Sequence, residues 1–188
     1  MSDDLISRPA DTDIRGNGGD DDWYEQHKRQ LALAVLPSRR YRRALEPGCG
    51  DGRLSALLAD RCDEVLCWDA DPAAAAAAAA RLADLEHVVV AQARLPHDWP
   101  TGTADLVVLS EIGCFLAPDD LEVVLEHTTR SLDPGGVLVA VHRRAPMPLY
   151  PGGGDDVHAL LFGVRGILRT GGYTDENLRI DVFERLPV

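Results

Sequence analysis

A chain of 188 residues with 31 acidic against 19 basic side chains carries a formal net charge of −12, a balance that repels phosphate backbones and anionic lipid and argues against sequence-independent nucleic-acid binding. Its four cysteines (Cys49, Cys62, Cys67 and Cys114) sit in apolar or glycine-rich stretches without a CxxC pair, which excludes a disulfide scaffold and a metal-ligand spacing and fits small buried hydrophobes in a reducing cytoplasm. With no apolar run of about 18 residues and an acidic N-terminus lacking a signal-peptide core, the expectation is a soluble cytoplasmic protein with no metal and no membrane partner.

Residues 1–21 are polar and rich in glycine and aspartate; they do not repay their ordering entropy and are expected to be mobile unless a ligand orders them. Residues 22–188 then read as a single domain. "WYEQHKRQLALAVL" predicts a helix over 23–36, capped by Asp22 and stopped by Pro37. The cluster "RRYRR" at 39–43 reads as a solvated face beside a strand. From residue 41 the pattern alternates: strand 42–46, helix 51–60, strand 64–69, then a helix over 72–84. Asp71 caps that last helix, Pro72 occupies its first position, and eight consecutive alanines give it a thin body suited to close packing. Strands follow at 87–91 and 105–109, a helix at 118–131 and a strand at 136–142. A helix at 156–169, a short strand near 172–175 and a strand at 178–186 close the chain. Near-continuous β-branched strands alternating with helices imply a parallel sheet buried on both faces, with a more alternating, antiparallel strand at the end.

In open α/β sheets ligands bind beyond the carboxyl ends of the strands, so the first strand–loop–helix turn, "EPGCGDGR" at 46–53, carries most information. The dinucleotide fingerprint needs glycine at relative positions one, three and six. Counting from Gly48 the sixth position is Arg53, and counting from Gly50 it is Ser55; a pyrophosphate site and an NAD-dependent reductase therefore lose ground. Asp69 ends the second strand at about the spacing where a carboxylate meets ribose hydroxyls. Asp71, by contrast, serves as the helix cap.

The pattern acid-x-Gly-x-Gly-x-Gly resembles the nucleotide loop of the class I methyltransferases that use S-adenosylmethionine. "TADLVVLSEIGCFL" and "HTTRSLDPGGVLVAV" resemble that superfamily's fourth strand and the turn before its fifth. More narrowly, "DDDWYEQHKR", "LPHDWPTGTADLVVLSEIGCFL", "LVAVHRR" and "GGDDVHALL" are similar to the NodS-like methyltransferases, named for a nodulation enzyme that N-methylates a deacylated amino sugar on a chitin oligosaccharide. The chain departs from that family at Cys114-Phe115, where paired aromatics are usual, and at Arg143, where tryptophan is usual.

The resemblance implies a three-layer, Rossmann-like α/β fold with a mostly parallel sheet of six to seven strands and an antiparallel C-terminal strand. It implies S-adenosylmethionine as cofactor, leaving S-adenosylhomocysteine, held by Tyr24, Glu46, Gly48, Cys49, Gly50, Asp69, Ala70, Leu95 and Ser110. Glu46 suits the cofactor's cationic groups, Asp69 the ribose, and Leu95 the adenine. Tyr24 would cover the cofactor from the N-terminal helix with Lys28 near its carboxylate, unless Trp23 makes that helix a simple hydrophobic anchor. An amine nucleophile must be neutral to attack, which makes Glu111, at the end of the fourth strand, the first candidate to hold or deprotonate it. His142 and His158 are further candidates for orienting the acceptor or acting as base. Loop 143–157 reads as a lid on the substrate side. The expected acceptor is a small molecule, an amine, amino sugar or oligosaccharide, and the chain is expected to act as a monomer or weak homodimer. A module that holds the cofactor without transferring methyl, and a methyltransferase acting on oxygen, remain the alternatives.

Overall fold

The computed structural model describes residues 18–145 and 152–187. Seven strands form one sheet in the order β3-β2-β1-β4-β5-β7-β6. Five of them, β1 (Tyr41–Pro47), β2 (Cys62–Asp69), β3 (Val88–Gln92), β4 (Ala104–Ser110) and β5 (Leu132–Arg143), run parallel. β7 (Leu178–Arg185) lies antiparallel between β5 and β6 (Ile167–Thr174). Helices α1 (Gly18–Ala34), α2 (Arg53–Ala59), α3 (Pro72–Arg81), α4 (Pro118–Ser131) and α5 (Gly154–Leu161) connect or flank the strands. Alternate residues of each strand enter two separate cores. Ala44, Val65, Leu106, Val139 and Ile180 belong to one, and Leu45, Trp68, Val107, Leu138 and Phe183 to the other. The sheet is thus covered on both faces, as its unbroken apolar strands require. The expected class, a mostly parallel sheet with antiparallel C-terminal pairing, is borne out.

Strand order reverses between β1 and β4, so the loop after β1 opens into the crevice at that switch point. The thin third helix brings the loop close to its neighbours. Asp71 caps α3 by accepting from the Ala73 N–H at 2.9 Å, and Ala75 and Ala78 face inward. A Cβ on Gly52 would stand 3.1 Å from the Ala78 Cα and 3.0 Å from the Leu82 Cδ1. A larger residue at 78 would push the loop away.

Several boundaries differ from the expectation. The N-terminal helix starts at Gly18 instead of after an Asp22 cap. Residues 1–17 lie outside the described residues. The helix expected to run to 169 stops at Leu161, because Gly163 and Gly166 follow and Gly166 adopts φ +86, a conformation closed to most side chains. Ile167–Arg169 therefore open β6, far longer than the short strand expected at 172–175. β5 begins at Leu132, with a bulge against β4 where the register jumps between Ala104 and Leu106. Among the described residues no helix is long and apolar enough to cross a membrane.

Candidate functional site

The carboxyl ends of β1, β2, β4 and β5 meet at one rim of the sheet, and each contributes a turn. After β1, Gly48, Gly50 and Gly52 all take positive φ (69, 58 and 77), so the chain coils tightly and exposes backbone where a side chain would otherwise stand. A Cβ on Gly48 would come 2.6 Å from the Ile112 Cδ1, which shows how closely the β1 and β4 turns approach. Asp69 ties this coil to β2. Its Oδ2 accepts from the Gly50 N–H at 2.9 Å and its Oδ1 from the Asp71 N–H at 3.0 Å. A carboxylate offers about four lone-pair directions, so this one is oriented by two backbone bonds with capacity left for a ligand. Ala70 follows at the same rim, partly exposed. Cys49 anchors the coil through its N–H to the Trp68 carbonyl at 3.0 Å. Its thiol faces inward, where pairing with Cys67 and burial hold it protonated.

The loop after β3 is tied to the same rim by the Ala93 N–H bonding the Asp69 carbonyl at 3.1 Å. Leu95, partly buried, packs on the second core there.

Opposite stands Ser110, the last residue of β4, paired with Val141. Glu111 follows with φ 54, the only non-glycine residue with positive φ among the described residues. Such strain persists only where the surroundings enforce it, and it concentrates at functional turns. Its Oε1 accepts from the Lys28 Nζ at 3.1 Å and from the Arg143 N–H at 3.0 Å. Lys28 is almost fully buried and also bonds Glu25 at 2.9 Å, so its ammonium is shared between two carboxylates. Helix α1 thereby clasps the β4–β5 edge. Tyr24 lies under the Arg143 guanidinium, 4.3 Å from ring centroid to cation. Burial pushes its phenol up to about 12, against the Arg143 charge and with help from Glu111, and its buried hydroxyl has no partner among the described residues. Trp23 is 64% exposed and stacks on His27, so the simple-anchor alternative for this helix is not what the structure shows. Part of the expected lid, residues 146–151, lies outside the described residues.

Three candidates sit behind this surface. Glu46 is buried beneath α2 and accepts from the Ser55 hydroxyl at 2.6 Å. Burial pushes its carboxyl up to about 8, against that bond, so near neutrality it is largely protonated and pins β1 to α2. His142 and His158 are both fully buried. The His142 Nε2 accepts from the Gly113 N–H at 3.3 Å, its Nδ1 meets the His158 Nε2 at 3.2 Å, and the His158 Nδ1 meets the Asp181 Oδ2 at 2.7 Å. Burial keeps both imidazoles below their usual range. Every ring nitrogen is occupied, which leaves neither histidine a nitrogen for a substrate proton in this arrangement. Asp181 and Ser55 had no signature in the sequence. One lies 23 residues beyond His158 and the other on the hidden side of a helix. Among the described residues no cluster of histidine, cysteine and carboxylate groups could hold a metal.

No curated protein matches. A Pseudomonas syringae protein provisionally identified as a methyltransferase superposes with TM-score 0.76 at 42% identity, over 87% of this chain and 99% of the other. The N-methyltransferase NodS of Bradyrhizobium japonicum WM9, in complex with S-adenosyl-l-homocysteine, superposes with TM-score 0.73 at 23% identity, over 86% of each chain. An O-methyltransferase family protein from Burkholderia thailandensis gives TM-score 0.72 at 16% identity, over 87% of this chain and 56% of the other; at such identities the likeness is one of fold. A family profile described as "Methyltransferase domain" matches residues 45–138, from the first strand to the fifth. Half the chain is matched, it includes the glycine coil, Asp69 and Glu111, and a 42% identical structure covers 87% of the chain: the chain belongs to the methyltransferase domain family.

Proposed function

We propose that the chain transfers a methyl group from S-adenosylmethionine to the nitrogen of a small amine, an amino sugar or deacetylated glycan being the nearest class. The observation that carries the reading is the placement of Glu111, a strained carboxylate on the rim directly across from the glycine coil. The residues present fit the cofactor. The coil gives close backbone approach, Asp69 is oriented with lone pairs to spare for ribose hydroxyls, and the buried Tyr24 hydroxyl lacks a partner among the described residues. The NodS complex supports the same ligand.

When bound, this cofactor supplies a methyl group already activated by its sulfonium, so positioning provides much of the acceleration. The chain's own task is to deliver a neutral nitrogen in line. Both bonds found on the Glu111 carboxylate fall on Oε1, which leaves Oε2 to accept an N–H from the acceptor and to take up a proton as the nitrogen becomes bound. Lys28, 3.1 Å from Oε1, holds the group in place. Arg143, 40% exposed at the side chain and stacked on Tyr24, borders the acceptor side.

The test is methyl transfer from isotope-labelled cofactor to a panel of amines, amino sugars and alcohols. Label is expected in amines, and Glu111→Gln is expected to lower turnover at saturating amine by about 10²-fold. Transfer only to alcohols would establish the oxygen-directed alternative. Product binding without transfer to any acceptor would establish the binding-only one.

A further inference from the structure

We propose that Asp181, on the far strand β7, is a positioning residue for the reaction: acting through His158 and His142, it fixes the strained turn 111–113 that presents Glu111 to the acceptor. The inference rests on the reading of Glu111 as the group that meets the acceptor, and extends it to a residue that never touches one.

The turn is clamped to β5 at three consecutive positions. The Glu111 N–H donates to the Val141 carbonyl at 2.8 Å, the Arg143 N–H donates to the Glu111 Oε1 at 3.0 Å, and between them His142 accepts the Gly113 N–H at 3.3 Å. Two of these grips involve only the β5 backbone. The third depends on which His142 nitrogen carries the proton, and that choice is made elsewhere. Asp181 takes Arg169 Nε on one carboxylate oxygen at 2.5 Å and Arg179 Nε on the other at 2.9 Å, so it faces His158 as an acceptor only. His158 must then carry its proton on Nδ1, which leaves Nε2 bare to accept from His142. His142 in turn carries its proton on Nδ1, and its Nε2 is bare towards Gly113. A backbone N–H can only donate, so the far end of the chain requires the same tautomers as the near end. One proton per ring satisfies every position, and an additional or displaced proton sets two donors face to face. The packing leaves no slack for rearrangement. A Cβ on Gly113 would come 2.6 Å from the Val157 Cγ1, and one on Gly154 would come 2.5 Å from the His142 Cβ and collide with the Arg143 carbonyl.

The test uses the full-length protein. Nitrogen NMR of histidine-labelled protein at neutral pH is expected to show two histidines as neutral Nδ1–H tautomers, and Asp181→Asn is expected to convert part of that population and speed hydrogen exchange at the Gly113 amide. In methyl transfer, Asp181→Asn and His142→Leu are expected to lower kcat or raise the acceptor KM about tenfold, while S-adenosylhomocysteine affinity stays within about twofold. His142→Gln, whose amide oxygen can accept from Gly113, is expected to recover most of the loss. Wild-type rings in the Nε2–H tautomer would overturn the proposal whether or not any variant folds. So would folded variants with unchanged acceptor kinetics and Gly113 exchange, or a loss shared equally by cofactor affinity. If Glu111→Gln retains full turnover, the failure belongs to the role of Glu111, and the tautomers and Gly113 exchange still judge the relay.

Discussion

Asp69 is a side chain that the structure already holds in place and that the proposed function assigns to the ribose. Its two oxygens already receive N–H groups from Gly50 and Asp71, so the carboxylate plane is set before any ligand arrives, and little orientation entropy remains to be lost on binding. Asp69→Ala is expected to weaken S-adenosylhomocysteine binding at least about tenfold, roughly 1.4 kcal/mol, as read by calorimetry. Unchanged affinity would remove the ribose assignment. Glu46 makes the opposite case. It is the first acid of the same motif, yet it turns under α2 to Ser55 and stays largely protonated near neutrality. Spacing along the chain marked both acids equally. Only the direction each side chain takes from its strand separates a rim group from a buried pin.

At the scale of elements, the glycine coil and the alanine helix form one device. Gly52 has φ +77, and a Cβ there would crowd Ala78 and Leu82 at 3.0–3.1 Å. Gly52→Ala therefore combines backbone strain with overpacking, and is expected to destabilise by about 1–3 kcal/mol in denaturant unfolding; a neutral result would mean that the loop and α3 are free to separate. The coil, the Asp71 cap and the strand-end acids were legible in the sequence because each depends on neighbours within a few residues. The last helix was not. Leu160, Leu161, Val164, Ile167 and Leu168 recur at helical spacing, and only the positive φ of Gly166, together with pairing of residues 167–174 on β7, turns the second half into a strand. Tertiary pairing overrode local periodicity there. Asp181 was illegible for a related reason. It reads as one polar residue in an alternating strand, and two of its three partners come from other elements, α5 and β6.

For the molecule as a whole, two buried sets of groups bound stability from opposite sides. Burial lowers His142 and His158 from the ordinary 6.5. For His142 the neighbouring His158 and Lys28 act in the same direction; for His158 the Asp181 and Asp155 charges oppose burial and Arg179 reinforces it. Unfolded imidazoles bind protons first, so this contribution is complete above about pH 6.5 and is lost as pH falls towards the lowered folded values. Glu46 runs the other way. Its carboxyl is raised from 4.5 to about 8, so the folded state holds the extra proton, and its contribution is complete below about pH 4.5 and lost as pH rises through about 8. Glu46→Gln keeps an acceptor for the Ser55 hydroxyl and removes the charge that must be buried at high pH. The substitution is expected to raise Tm by several degrees more at pH 8.5 than at pH 5.5, since about 1 kcal/mol moves Tm by roughly 2–4 °C in a chain of this size. The acid arm set by the histidines should be untouched. A Tm change of the same size at both pH values would show that Glu46 is ionised throughout, and that the first acid of the glycine coil faces the site as a charge.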